Sequence, residues 1–192
     1  MNVNHNNNPT WAHDRLIHGY WVIPGRLLAT EYPGAKERDK AELKLGTLLE
    51  AGISSFVDLT EAGEMTRGGE PMKPYDAILR DEAAKRGSAV DYQRHAIRDN
   101  SVTTDARYDA ILEYIRAELA ADRVVVLHCW GGKGRTGTVV GSWLIDNESL
   151  GYPEVIDRMQ ELRRGSRKGD HPVPDTPKQH DVLRRRAQQK AA

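Results

Sequence analysis

The only cysteine of this 192-residue chain lies in a glycine-rich segment, HCWGGKGRTG (128–137). Cys129 is followed by Arg135 six positions later and then by Thr136. The run VVVLH (124–128) before the segment is β-branched and apolar, and an apolar stretch follows it, so we predict a buried strand and then a helix. A glycine-rich turn between a strand and a helix directs backbone N–H groups towards one point, where the helix N-terminus adds positive potential. The segment therefore predicts an anion-binding loop.

These surroundings favour a reactive thiol over an inert one. Amide N–H groups, a helix dipole and a nearby guanidinium lower the pKa of a cysteine, so that the thiolate is present at neutral pH. The fork of Arg135 and the loop N–H groups match the equatorial oxygens of a phosphoryl group and bind most strongly in the transition state. We predict phosphoryl transfer with Cys129 as the nucleophile, Thr136 donating its hydroxyl to the sulfur and His128 holding the loop. The predicted substrate-binding residues of the loop are His128, Trp130, Gly131, Gly132, Lys133 and Gly134.

Other glycine-rich loops explain the segment less well. The ATP-binding pattern GxxxxGK[ST] is absent because Lys133 is followed by Gly134. Residues 132–137 satisfy GxGxxG, but the dinucleotide fold needs a second strand ending in an acidic residue about twenty positions on, and the chain has helical patterns there. A buried structural cysteine is the remaining alternative. It leaves the spacing of Cys129 and Arg135 unexplained.

The pattern His128-Cys129-x5-Arg135-Thr136 resembles the signature of the protein tyrosine phosphatase superfamily, in its compact dual-specificity branch. Three further segments are similar to that family, and the similarity extends over about residues 20–186; the segments are GRLLA (25–29), HAIRD (95–99) and PDTPKQ (174–179). The resemblance implies a central sheet flanked by helices, a phosphocysteine intermediate, no metal or other cofactor, and a general acid on a separate upstream loop.

The resemblance assigns the general acid to Asp99. This aspartate follows an extended segment and begins the irregular stretch DNSVTT (99–104), which suits a loop that closes over substrate. Taken alone, an aspartate before Asn-Ser is more often a turn residue. Ala96 departs from the family, which commonly has proline there. Asp58, at a predicted strand end, and Asp105, in a predicted first helical turn, are alternatives.

Two other segments carry polar candidates. Gln179 resembles the glutamine that orients the hydrolytic water in some relatives, and a solvated helical glutamine is the alternative. The loop after the predicted strand ISSFVDL (53–59) carries Glu61, Glu64 and Arg67. We interpret these three as solvated charges rather than substrate contacts.

The substrate class follows less directly from the loop. Lys133 makes GKGRTG similar to the loop of the phosphatase and tensin homologue lipid phosphatases, which implies phosphoinositides or inositol phosphates. Those enzymes have lysine directly after the cysteine, whereas Trp130 here offers a flat apolar surface that suits an aromatic leaving group. We favour phosphorylated protein or peptide substrates, phosphotyrosine first and phosphoserine or phosphothreonine if the pocket is shallow. An inositide phosphatase and a non-catalytic phosphate-binding module are the alternatives.

Alternating strand and helix patterns predict an α/β fold with a central, largely parallel sheet flanked by helices on both faces. We expect a disordered tail over 1–15, a single domain over 16–187 and a frayed end over 188–192. The expected strands are 20–23, 26–29, 53–59, 90–97 and 124–128. The expected helices are 35–50, 75–86, one capped by Thr104, 137–147, 153–164 and 176–186.

Composition adds few constraints. Lysine plus arginine and aspartate plus glutamate number 28 each, so nothing indicates nucleic-acid binding, and the basic excess over 158–192 is typical of a solvated final helix. One cysteine permits no internal disulfide, the start has no signal-peptide pattern, and no run is long enough to span a membrane. We expect a monomer in a reducing cytoplasm.

Overall fold

The structure is a computed structural model that describes residues 9–66 and 68–191. Within these ranges the strands are β1 (Gly19–Ile23), β2 (Leu27–Thr30), β3 (Ile53–Asp58), β4 (Asp91–Arg94) and β5 (Val124–His128). They form a sheet in the order β1-β2-β5-β3-β4. The pair β1 and β2 is antiparallel, and the other three pairings are parallel. The predicted largely parallel sheet is confirmed.

Helices cover the sheet on both faces, as predicted. In the described residues they are α1 (Arg38–Glu50), α2 (Asp76–Lys85), α3 (Asp105–Ala120), α4 (Gly134–Glu148), α5 (Glu154–Arg163) and α6 (Pro177–Ala191). Along the central strand β5, Val126 packs in the core cluster that contains residues of α1 and α2, whereas Val125 and Leu127 pack in the cluster of α3 to α6. This alternation is why β5 reads as an unbroken apolar run: side chains on both faces are buried.

Helix boundaries follow local hydrogen bonds. The hydroxyl of Thr104 accepts from the N–H of Arg107 at 3.3 Å, so the predicted cap of α3 is confirmed. Helix α4 begins at Gly134 rather than at Gly137, because the anion-binding loop passes directly into the helix. Helix α6 continues to Ala191, through most of the predicted frayed end.

The N-terminal segment also differs from the prediction of a disordered tail over 1–15. Residues 1–8 lie outside the described residues, but Trp11 is 5% exposed. Its indole N–H donates to the carbonyl of Ile17 at 3.0 Å, and its ring meets Trp21 edge-on at 5.9 Å. Trp11 therefore packs onto the domain, because the indole pair buries apolar surface there. In the described ranges, no helix has both the length and the apolar character that crossing a membrane requires.

Candidate active site

The cysteine loop connects β5 to α4 at the carboxyl edge of the central strand. Cys129 is 3% exposed and lies at the floor of a cavity of about 500 Å³. Most of the other loop residues predicted to bind phosphate also line this cavity, namely Trp130, Gly131, Lys133, Gly134 and Arg135. Gly132 was predicted with them but does not line it. A cavity at the carboxyl ends of parallel strands, beside a helix N-terminus, is where α/β proteins bind anionic ligands.

Gly132 is the loop glycine whose backbone requires the absence of a side chain. Its φ is +71°, and a Cβ there would lie 2.7 Å from the carbonyl oxygen of Thr30. At Gly134 a Cβ would lie 2.9 Å from a carboxylate oxygen of Asp175, whereas at Gly131 it would meet no described atom within 4 Å. The sequence predicted one role for all these glycines, but the structure demands glycine most strongly at Gly132.

His128, the last residue of β5, is fully buried, and its ring connects the loop to Tyr75 at the start of α2. Its Nε2 lies 2.6 Å from the hydroxyl of Tyr75, and its Nδ1 lies 3.1 Å from the carbonyl oxygen of Cys129. Burial lowers the pKa of His128, although the charge of Asp58 opposes this shift. The lowered pKa favours the neutral ring. The predicted loop-holding contacts are therefore present, while His128 does not line the cavity.

Arg135 is held by a carboxylate that the sequence did not single out as a site residue. Glu64 accepts from Nη1 at 2.6 Å and from Nη2 at 2.7 Å, and Nη1 also donates to the carbonyl of Ile97 at 2.9 Å. Burial disfavours the guanidinium charge, but the bond to Glu64 and the neighbouring Cys129 raise the pKa of Arg135. The side chains of Arg135 and Glu64 are 1% and 7% exposed, so the interpretation of Glu64 as a solvated charge was wrong.

Asp99 lies at the mouth of the cavity, on Arg135. Its Oδ1 is 3.0 Å from Nη2 of Arg135, its Oδ2 accepts from Asn100 at 2.9 Å, and its side chain is 53% exposed. The two alternative acids, Asp58 and Asp105, have hydrogen-bond or ion-pair partners outside this cavity. Asp58 is buried and accepts from Thr60 at 2.6 Å, and Asp105 pairs with Arg185 at 2.7 Å. Of the three candidate acids, Asp99 is the one that lines the cavity containing Cys129.

The connection between α5 and α6 forms a wall of the cavity that the sequence did not predict. Lys168, His171 and Asp175 line it. Lys168 donates to the carbonyl of Gly131 at 3.1 Å and pairs with Glu31 at 2.7 Å. Lys133 pairs with Asp175 at 2.8 Å. Both extra cations are therefore paired with carboxylates, and Lys168 shares Glu31 with Arg167.

Gln179 and Thr136 are buried beside the loop. Gln179 is 0% exposed, accepts from the N–H of Thr176 at 3.1 Å and donates to the carbonyl of Ser101 at 3.3 Å. The alternative of a solvated glutamine is therefore wrong. Thr136 is also 0% exposed, and its hydroxyl has no hydrogen-bond partner among the described residues. The predicted hydrogen bond from Thr136 to the sulfur of Cys129 is therefore not formed in this structure.

Two predicted polar or aromatic residues remain to be placed, Trp130 and Arg67. Trp130 is half-buried, and its carbonyl accepts from the N–H of Tyr32 at 3.0 Å. Arg67 lies outside the described residues. The residues that the structure describes contain no group of three or more histidine, cysteine or acidic side chains that could hold a metal ion.

Comparisons with known proteins agree with this geometry. The family model of a DSP-PTPase phosphatase of polymorphic toxin systems matches residues 33–149. Two uncharacterised proteins of Methanocaldococcus jannaschii are 38% and 40% identical over 47 residues, 24% of this chain. The match spans only 30% and 32% of those relatives, so the chain covers about a third of their length.

Solved structures share the fold. Tk-PTP in its active form has a TM-score of 0.63 at 24% identity, covering 89% of this chain and 97% of that one. PTPMT1 in complex with PI(5)P has a TM-score of 0.62 at 18% identity, covering 90% and 96%. TpbA of P. aeruginosa has a TM-score of 0.64 at 17% identity, covering 96% and 98%.

The family model spans more than half of the chain, and the structural neighbours span nearly all of it. The resemblance of the Cys129 loop to the protein tyrosine phosphatase superfamily is confirmed. The chain belongs to the family of DSP-PTPase phosphatases found in polymorphic toxin systems.

Proposed function

We propose that this phosphatase hydrolyses phosphate monoesters with Cys129 as its nucleophile and without a metal ion. The observation that carries the proposal is that Cys129, Arg135 and Asp99 line one cavity. A thiolate, a forked cation and a carboxylic acid are the three groups that an in-line displacement at phosphorus needs. They come from the cysteine loop, the first turn of α4 and the segment after β4.

The reaction proceeds in two displacements. The Cys129 thiolate attacks phosphorus, the P–O ester bond breaks, and protonated Asp99 gives its proton to the leaving oxygen. Water then attacks the phosphocysteine, the S–P bond breaks, and the Asp99 carboxylate takes the proton from that water. The buried hydroxyl of Thr136 stabilises the departing sulfur, and Arg135 with the loop N–H groups binds the phosphoryl oxygens in both steps.

Phosphotyrosyl protein is the proposed substrate class. The cavity walls carry Arg135, Lys133 and Lys168 against Glu64, Asp99 and Asp175, and both lysines are paired with carboxylates. A multiply phosphorylated ring needs an excess of cations. The balance therefore supports a single phosphate, and Trp130 at the mouth suits an aryl group.

An inositide or inositol phosphate phosphatase is the second candidate. The structural neighbour PTPMT1 was solved in complex with PI(5)P, and Lys133 lies in this cavity. In that case Lys133→Ala should lower turnover of an inositide far more than turnover of an aryl phosphate. Lys178→Ala, an exposed lysine on α6, is the matched control.

We also propose that the predicted domain of residues 16–187, together with the packed segment from Trp11 and the rest of α6, acts as one unit and as a monomer. Cys129 is a free thiol. The proposed chemistry needs it reduced, which favours a reducing compartment such as the cytoplasm.

The test is turnover of an aryl phosphate by the wild-type chain and by Cys129→Ser, with a chelator present. We expect chelator-resistant turnover that vanadate blocks and that Cys129→Ser abolishes. Comparing kcat/KM for phosphotyrosyl peptides, phosphoseryl peptides and phosphoinositides then separates the substrate classes. Turnover that survives Cys129→Ser would disprove the nucleophile.

A further inference from the structure

A second cavity of about 450 Å³ adjoins the catalytic one and has no part in the proposed chemistry. Its walls include Tyr32, Ala35, Pro71, Met72 and Trp130, so much of the lining is apolar. Trp130 also lines the catalytic cavity, and its carbonyl accepts from the N–H of Tyr32 at 3.0 Å. The second cavity, which we call the flanking groove, therefore begins where the phosphate pocket ends.

A short hairpin separates the two cavities. Met65 and Pro71 form an antiparallel bridge, and the N–H of Met72 donates to the carbonyl of Glu64 at 2.7 Å. Glu64 and Met65 line the catalytic cavity, whereas Pro71 and Met72 line the flanking groove. Met65 is 57% exposed, which is uncommon for a large apolar side chain and places a hydrophobic contact at the rim between the cavities.

The flanking groove holds one ion pair and one further lysine. Lys36 pairs with Glu70 at 2.9 Å, and the ammonium of Lys73 donates to the carbonyl of Lys36 at 2.8 Å. The groove therefore presents apolar walls with a polar rim. Lys73, which has no carboxylate partner among the described residues, is a single cation and not a pair that would hold a second phosphate. Its chemistry suits an apolar side chain carried by a polar backbone.

We propose that the flanking groove binds an apolar side chain of a residue next to the phosphorylated residue in a polypeptide substrate. The inference rests on the proposed phosphatase function and adds sequence preference to it. Neighbouring residues of an extended peptide lie about 3.3–3.6 Å apart along the chain, so a residue beside the phosphotyrosine reaches past the shared wall of Trp130. A diacyl lipid is disfavoured, because the polar rim of Lys36, Thr66 and Glu70 offers nothing to a second acyl chain.

The experiment compares kcat/KM for an all-glycine-flanked phosphotyrosyl peptide with four peptides that carry one leucine, at −2, −1, +1 or +2. An aryl phosphate without flanking residues serves as the reference for catalysis. We expect at least one leucine peptide to exceed the glycine peptide by about tenfold, which is the scale on which an apolar pocket discriminates. Ala35→Trp, which fills the groove, should bring that ratio close to one while turnover of the aryl phosphate stays unchanged.

Ala117→Trp is the matched control, because Ala117 is exposed on α3, on the opposite face of the sheet. It should keep the leucine preference. If Ala35→Trp does not fold, Ala35→Leu fills the groove less and should reduce the preference partly.

Equal kcat/KM for all five peptides, with the aryl phosphate still hydrolysed, would overturn this inference alone. So would a preference that Ala35→Trp and Ala35→Leu leave intact. If Ala35→Trp lowered kcat/KM only for a diacyl phosphoinositide in vesicles, the groove would be assigned to an acyl chain instead. If neither peptides nor aryl phosphate are hydrolysed, the proposed function fails and this inference fails with it.

Discussion

Arg135 and Glu64 form a buried bidentate pair, with Nη1 and Nη2 of the guanidinium 2.6 and 2.7 Å from the two carboxylate oxygens. The same Nη2 lies 3.0 Å from Asp99, and Nε has no hydrogen-bond partner among the described residues. Glu64 therefore fixes one edge of the guanidinium. We expect a substrate phosphate to bind at Nε and at the Nη2 proton that Asp99 now contacts.

Glu64→Gln tests whether this pair positions Arg135. The amide keeps the size of the side chain but loses the charge, so the guanidinium is less firmly oriented for the phosphate. We expect kcat/KM for an aryl phosphate to fall about tenfold, mainly through KM. Glu61→Gln, an exposed glutamate in the same loop, is the control and should have no effect. An unchanged KM in Glu64→Gln would show that Arg135 needs no such support.

Asp99→Asn tests the general acid. Asparagine cannot donate the proton that the leaving oxygen needs, so kcat for phosphoserine, with its poor leaving group, should fall about a hundredfold or more. For a nitrophenyl phosphate, whose leaving group needs no protonation, kcat should fall much less in Asp99→Asn. Asp175→Asn on the opposite wall should show no such dependence on the leaving group. A uniform loss across substrates in Asp99→Asn would assign the acid to another residue.

Much of the fold was predictable because it depends on patterns among residues that are close together in the sequence. The run Val124–His128 identifies a strand buried on both faces, and Thr104 caps α3 as its residue type favours. The Cys129 loop was predictable for the same reason, since Arg135 lies within the next turn. The extension of α6 beyond 186 was not, because it depends on packing between distant parts of the chain: Ala187 is 7% exposed and lies in the core cluster that α3 and α4 also form.

The missed parts of the candidate site are long-range contacts too. Glu64 lies 71 residues before Arg135, in a glycine-rich loop whose charges look solvated. Lys168 and His171 lie in an irregular connection without periodicity. Buried Arg163 fixes that connection by donating to the carbonyl of His171 at 2.6 Å. An arginine in the last turn of an amphipathic helix gives no local sign of such a role.

Gly132→Ala tests the backbone demand of the cysteine loop. Alanine is strained at a φ of +71°, and its Cβ would lie 2.7 Å from the carbonyl oxygen of Thr30. We expect a loss of about 1–3 kcal/mol in the free energy of unfolding. Each kcal/mol lowers the Tm by about 2–4 °C in a domain of this size. Gly131→Ala, where a Cβ meets no described atom within 4 Å, should leave Tm nearly unchanged. Equal Tm shifts in the two variants would contradict the strain argument.

Lys44 gives the fold an unusual alkaline pH dependence. Its side chain is buried and donates to the carbonyls of Tyr32 at 2.6 Å and Gly34 at 3.1 Å, which anchors the segment before α1. Burial lowers the pKa of Lys44 from 10.5 to about 8, with Glu31 opposing the shift. The unfolded chain therefore binds more protons than the folded chain between these two pH values, so the free energy of unfolding rises with pH across this window.

The stabilisation that uncharged Lys44 adds to the free energy of unfolding is complete above pH 10.5 and is lost as the pH falls through about 8. Its full size is about 3 kcal/mol. Urea unfolding from pH 7 to about 9.5 should show the rise in the wild-type chain, and Lys44→Met should flatten it. Lys40→Met, an exposed lysine on the same helix, should keep the wild-type slope. The pH series stops below pH 10 because burial raises the pKa of Tyr20 to about 12. The titration of Tyr20 therefore lowers the free energy of unfolding as the pH rises above 10. A slope that survives in Lys44→Met would mean that another group titrates.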